Sequence, residues 1–189
     1  MVSNSAKAQK TAASTPIGAL LIEHRLIERM LRILDREAAA IDAHKQATAG
    51  VFENAVDFFK SYADQCHHGK EEDIFFRDLC KKPMSPEHGK VLNELIAEHV
   101  QGRELVNTLG ALDAKYVQSG AAVLPEIAAL IRTLSGFYKA HIEKEDKRFF
   151  IPALKYFTQE EQAQMLERFR EFDGLLIHDR YIKAVARFE

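Results

Sequence analysis

Apolar residues return at helical spacing along almost the whole chain. Ile17, Leu20, Leu21, Ile27, Leu31, Leu34, Ala38 and Ile41 form one face of a helix that opens on Thr15-Pro16, an N-cap residue followed by proline at the first helical position. KQATAG (45–50) interrupts it. A second stripe carries Phe52, Val56, Phe59, Ala63 and Ile74 and is broken by KKPMSP (81–86). Ser85-Pro86 opens a third, with Leu92, Leu95, Ile96, Val106, Leu109 and Tyr116, and Ser119-Gly120 stops it. The fourth starts near Leu124-Pro125 and carries Ile127, Ile131, Leu134 and Tyr138. Thr158-Gln-Glu-Glu161 reads as a capping box for a shorter fifth helix, and Gly174 separates that from LLIHDRYIKAVARF (175–188). Four long helices with short joints predict an all-α protein, an up-down-up-down four-helix bundle with one or two short extra C-terminal helices. The expected division is a flexible polar arm over 1–14, the bundle over 15–156, and a C-terminal helical extension over 157–189 packed on it.

Polar residues interrupt these stripes in a regular way. Each long helix has one histidine within its apolar face: His24, His67, His99 and His141. Two of them are followed four residues on by Glu71 and Glu145, on the same face. A buried carboxylate without a partner costs several kcal/mol, so a partner is expected. In an antiparallel hairpin, residues equidistant from the turn lie at one height. The midpoints of successive histidines are 45.5, 83 and 120, and each falls at a joint already identified from the stripes. The four histidines should therefore form one layer, roughly 24–32 Å from the turns.

Four imidazoles and two carboxylates converging in an apolar interior make a metal site that needs no thiolate. Two HxxxE units on different helices point to two ions. His24 and His67 would hold one, His99 and His141 the other, and Glu71 and Glu145 would bridge, with a solvent-derived oxygen as a third bridge. Iron suits such a set best, with zinc or manganese as substitutes. Two ferrous ions and two carboxylates leave a charge of about +2 in a low-dielectric pocket, which favours a small anionic guest. Three further residues are candidates for the surroundings. His68 with Glu72 is a competing HxxxE register, and His68 is expected against the ligands or at the surface. Glu28 is four residues past His24 and could join the ligands or form a salt bridge between helices. His178 could cap the site from the last segment or lie in solvent. Cys66 is read as a core thiol.

The spacing resembles that of the hemerythrin-like (HHE cation-binding) family. Its H…HxxxE…H…HxxxE signature is matched by His24, His67-His-Gly-Lys-Glu71, His99 and His141-Ile-Glu-Lys-Glu145, and the likeness spans roughly residues 16–155. The resemblance implies a four-helix bundle holding a carboxylate-bridged non-haem di-iron centre that handles O2, NO or peroxide. Oxygen-carrying members have a further histidine where this chain has Leu95, and an aspartate where it has Asp146 beside Glu145. The four-histidine set is closer to the iron-centre repair (RIC) branch. That implies an open, reactive site. One reading is a protein that binds or reduces O2, peroxide or NO, as an oxidoreductase of oxidative or nitrosative stress with an electron donor. The other is iron storage, delivery to an apo iron protein for repair, or sensing without catalysis.

The chain also repeats itself. IEHRLIERML (22–31) is echoed by AEHVQGRELV (97–106), 75 residues later, and the HxxxE units are 74 apart. Two helix hairpins, each with half a site, would face each other across a pseudo-two-fold axis. With 47% hydrophobic and 29% charged residues the composition is that of a globular domain. A net charge of −2 offers no broad basic field, so nucleic acid is a poor partner. Two cysteines make no disulfide framework, and no apolar stretch is expected to cross a bilayer. Residues 1–14 lack the hydrophobic run of a secretion signal, so a cytoplasmic location is expected.

Overall fold

The computed structural model describes residues 14–174 and 177–189; the polar arm expected over 1–14 falls outside them save for Ser14. Helix α1 spans Pro16–His44, its first turn closed by the Thr15 hydroxyl, which accepts the Gly18 N–H at 3.0 Å. Lys45 in the left-handed region ends it. The following joint is tied back by the buried Glu37 carboxylate, which accepts both the N–H and the hydroxyl of Thr48. Gly50, at φ 74°, turns the chain into α2, a conformation that glycine adopts without steric cost.

Helix α2, residues 51–79, is not uniform. It is α-helical over Val51–Asp57, widens into π-helical turns over Phe58–His68 and Glu71–Phe76, and tightens again over Arg77–Leu79. Helix α3, Pro86–Ser119, starts with the Ser85 hydroxyl accepting the His88 N–H. A 3-10 turn, Gly120–Val123, leads into α4, residues 124–154. That helix is α-helical over Leu124–Lys144, π-helical over Glu145–Phe149, and α-helical over Phe150–Leu154. The wide turns coincide with the two HxxxE units, as π-bulges often do at functional positions. Helix α5, Gln159–Asp173, carries the expected capping box, and α6 runs over Ile177–Ala186.

The four long helices pack as a bundle: α1 lies against α2 and α4, and α3 against α2 and α4. Helices α5 and α6 both lean on α1 and α2. Among the described residues there is no strand. The apolar interior falls into two clusters. One, around Leu34, Phe59, Leu109 and Ile131, fills the end of the bundle near the 45–50 and 120–123 joints. The other, around Leu20, Phe75, Leu95, Phe149 and Phe169, fills the opposite end and continues under α5. His24, His67, His99 and His141 occupy the level between them, flanked in sequence by members of both clusters.

One expectation needs correcting. The segment Pro86–Leu154 does contain a stretch long and apolar enough, by length and composition, to cross a membrane. It reads that way because α4 buries Leu124, Ile127, Ala128, Ile131 and Leu134 on one face, and a core helix passes the same test.

Leu109 lies wholly buried in the first cluster. Leu109→Ala should lower the unfolding free energy by about 2–5 kcal/mol in chemical denaturation while the metal content of the purified protein stays unchanged.

Candidate metal centre

The six expected residues meet. His24, His67, Glu71 and Glu145 each place a donor atom within 4.8 Å of the other three, and all four are buried. The His24 and His67 rings lie 4.6 Å apart, and the His99 and His141 rings 5.0 Å apart. Each glutamate stands between the two pairs. Glu71 puts one oxygen 3.3 Å from His67 Nε2 and the other 3.3 Å from His99 Nε2. Glu145 puts Oε2 3.2 Å from His24 Nε2 and 3.4 Å from His141 Nε2, with Oε1 3.8 Å from His99 Nε2. Of the neighbouring acids Glu145 and Asp146, it is Glu145, the one expected as a ligand, that faces inward, while Asp146 meets the outer nitrogen of His24.

The donor set also shows itself by what it lacks. Among the described residues, the buried side-chain N and O atoms without a hydrogen-bond partner are Ser135 Oγ, Nε2 of His24, His99 and His141, and both oxygens of Glu71 and of Glu145. Apart from the serine, every one points at the same centre. Native interiors leave few polar atoms unpaired, so a cluster of them around two carboxylates is a place built for cations.

The outer nitrogens are all engaged. Nδ1 of His24 meets Asp146 at 2.6 Å, His67 meets Glu23 at 2.9 Å, His99 meets Glu72 at 2.7 Å, and His141 meets Glu98 at 2.9 Å. A carboxylate only accepts, so each Nδ1 carries a proton and each Nε2 is turned inward, where a metal ion can take its lone pair once any proton there has left. Each of these carboxylates in turn meets a cation: Asp146 meets Arg25, Glu23 meets Lys70, Glu72 meets Arg103, and Glu98 meets Lys144.

These contacts move the titrations. Burial pulls the His24 imidazole down, but Asp146 and Glu145 beside it raise it to about 10. Burial likewise opposes, and Glu145, Glu71 and Glu72 overcome, so that His99 is held well above the ordinary imidazole range. Burial pushes Glu145 up, but the surrounding imidazoles of His141, His24 and His99 hold it well below the usual carboxylate range. In the metal-free chain, protons on His24 and His99 thus stand in for metal charge.

Of the three candidates for the surroundings, none lies among the inward donors. His68 is buried rather than at the surface, and Asp64 accepts from its Nδ1 at 3.3 Å. It stacks on His99 with ring centres 3.9 Å apart and planes 12° apart. A ring nitrogen of His68 lies within 4.8 Å of donor atoms of His99 and His141, but an ion lies in the plane of each imidazole that holds it, and the stacked rings of His68 and His99 direct their lone pairs along parallel planes. Burial and the neighbouring histidines push His68 well below the ordinary value, and it packs as a neutral ring. Glu28 pairs with Arg25 on its own helix rather than between helices. His178 lies farther out, between Asp173 and Tyr62. The Cys66 thiol is buried and faces Asp173.

The sequence reading missed Glu23, Glu72, Glu98 and Lys70. A signal for them existed. The internal repeat aligns Glu23-His24 with Glu98-His99, Lys70 with Lys144, and Glu71-Glu72 with Glu145-Asp146. A polar residue that recurs beside a ligand in both halves is a candidate to hold that ligand.

A profile of the Hemerythrin HHE cation binding domain matches residues 15–154 of the chain. No curated protein and no solved structure is similar enough to count as a match.

Because His24 and His99 keep their protons at neutral pH in the metal-free chain, loading metal must displace them. Calorimetry of ferrous-ion binding in buffers of different ionisation heat should show proton release, and apparent affinity should climb as pH rises from about 6 towards 10. Binding heat that does not vary with the buffer would contradict this.

Proposed function

The chain belongs to the hemerythrin HHE cation-binding domain family, and from that premise we propose that it is a non-haem di-iron protein that binds or reduces O2, peroxide or NO. One observation supports this above the others: both oxygens of Glu71 and of Glu145 lack a hydrogen-bond partner, and each of these two glutamates spans the two histidine pairs. A carboxylate in that position is shaped to be shared by two ions.

The donors are nitrogen and oxygen only. Burial pushes the Cys66 thiol up, away from the thiolate that soft-metal sites require. His24 and His67 would hold one ion, His99 and His141 the other, with Glu71 and Glu145 shared. Iron held there supplies ferrous–ferric one-electron steps and room for a small ligand. The chain's own part is to hold the Nε2 lone pairs in place through the Nδ1–carboxylate contacts and to exclude water. Phe76 and Phe150 support that exclusion, stacking on His99 and His24 with ring centres at 5.9 and 5.7 Å.

The same burial bears on the delivery reading. All six inward residues are at most 3% exposed, which favours retention of an ion over its ready transfer to an apo protein.

Protein expressed in iron-replete medium should contain about two irons per chain. It should give a charge-transfer band on adding azide, and consume peroxide in a catalase- or peroxidase-type assay. Glu145→Ala should abolish the band and release both irons. Two irons with neither azide binding nor peroxide turnover would shift the reading to storage or delivery, and zinc in place of iron would overturn it.

A further inference from the structure

Lys70 is wholly buried, although a lysine ammonium withdrawn from water is costly unless paired. Its Nζ donates to Glu23 and to Asp173. Glu23 is the carboxylate that holds His67 Nδ1, and Asp173 is the last residue of α5. The network continues outward. His178 of α6 meets the second oxygen of Asp173 at 2.9 Å, and the Tyr62 hydroxyl meets His178 Nδ1 at 3.1 Å. Cys66 Sγ sits 3.4 Å from Asp173 Oδ1. Asp173 and His178 both lie beyond residues 15–154, the span matched by the family.

The other half of the centre is built without this layer. Lys144, the repeat counterpart of Lys70, meets Glu98, which holds His141. Its remaining partner is Glu94 on the bundle's own α3, and its side chain is 23% exposed. The histidine–carboxylate–lysine sequence is therefore duplicated, but only the first copy is sealed, and α5 and α6 seal it. Without Asp173, the Lys70 ammonium would keep Glu23 alone as a charged partner in a dry site. It would gain by moving towards water and drawing Glu23 with it, and His67 would lose the group that fixes its ring.

We propose that the C-terminal helices are a positioning device for one half of the metal centre: Asp173, braced by His178, clamps Lys70 onto Glu23 and so holds His67, which makes the His24/His67 position the slower of the two to release its ion. This rests on the two-ion reading of the site.

The test uses the full chain loaded with cobalt(II) and mixed with excess chelator, with release followed by the visible cobalt spectrum. The wild type should release its ions in two phases, and the slow phase should be the one absent from His67→Ala. Asp173→Ala should speed that slow phase about tenfold or more and leave the fast phase as it was. Should Asp173→Ala fail to fold, Asp173→Asn, of the same shape but uncharged, serves in its place. Leu109→Ala loosens the apolar core on α3, away from the polar network, and it should lower the melting temperature while leaving both phases alone. An unchanged slow phase in the Asp173 variant, an equal speeding of both phases, or the same effect from Leu109→Ala would overturn the inference. A single release phase in the wild type would overturn it too. A wild-type chain that takes up fewer than two ions would instead overturn the two-ion reading beneath it.

Discussion

Two carboxylates with no hydrogen bond, in the middle of a helical bundle, are the condition to which the rest of the structure answers. An unpaired buried polar atom costs about 1–3 kcal/mol, and a charged one more. Glu71 and Glu145 put four such oxygens within reach of each other. The bundle can carry that cost because an apolar cluster closes over the layer at each end. Cations between the carboxylates remove it, and in their place the protons of His24 and His99 offset part of it. The site is a debt in the folded chain that bound cations would discharge.

Charge alternates outward from that centre. The glutamates are surrounded by imidazoles, the imidazoles by Asp146, Glu23, Glu72 and Glu98, and these by Arg25, Lys70, Arg103 and Lys144. Each ring of charge fixes the one inside it. Glu72 and Glu98 are held below the usual carboxylate range: hydrogen bonds from His99 and Arg103 outweigh burial at Glu72, and those from His141 and Lys144 do so at Glu98. The ionised carboxylates decide which imidazole nitrogen carries the proton, and that leaves the other nitrogen free for metal. The order is electrostatic, and it is strongest where water is excluded.

The internal repeat makes the two halves alike, and the tail makes them differ. Glu23 and Glu98 play one part, and Lys70 and Lys144 another, but α5 and α6 lean mainly on the α1–α2 side. A symmetric frame with one side covered gives two positions that start from the same ligands and end in different surroundings. On the two-ion proposal, that difference would leave one ion behind a buried lysine and the other behind a partly exposed one.

The stripes, caps and breakers along the chain were enough to place the four long helices and the shorter fifth, because each is a local consequence of side-chain shape and backbone hydrogen bonding. The common level of the four histidines was also legible, since antiparallel helices of equal rise make height a matter of counting. What counting could not supply was direction around each helix. The π-helical turns over Phe58–His68, Glu71–Phe76 and Glu145–Phe149 change the angle between successive side chains. A period of 3.6 therefore does not by itself say which groups His68, Glu72 and Asp146 touch. The partners of the imidazoles come from other helices, as Glu23 does for His67 and Glu98 for His141, and Asp173 reaches Lys70 from more than a hundred residues away. Local chemistry wrote the helices and their ligands into the sequence. The packing of one helix on another decided which nitrogen faces the centre, because hydrogen bonds between distant residues exist only once the chain has folded.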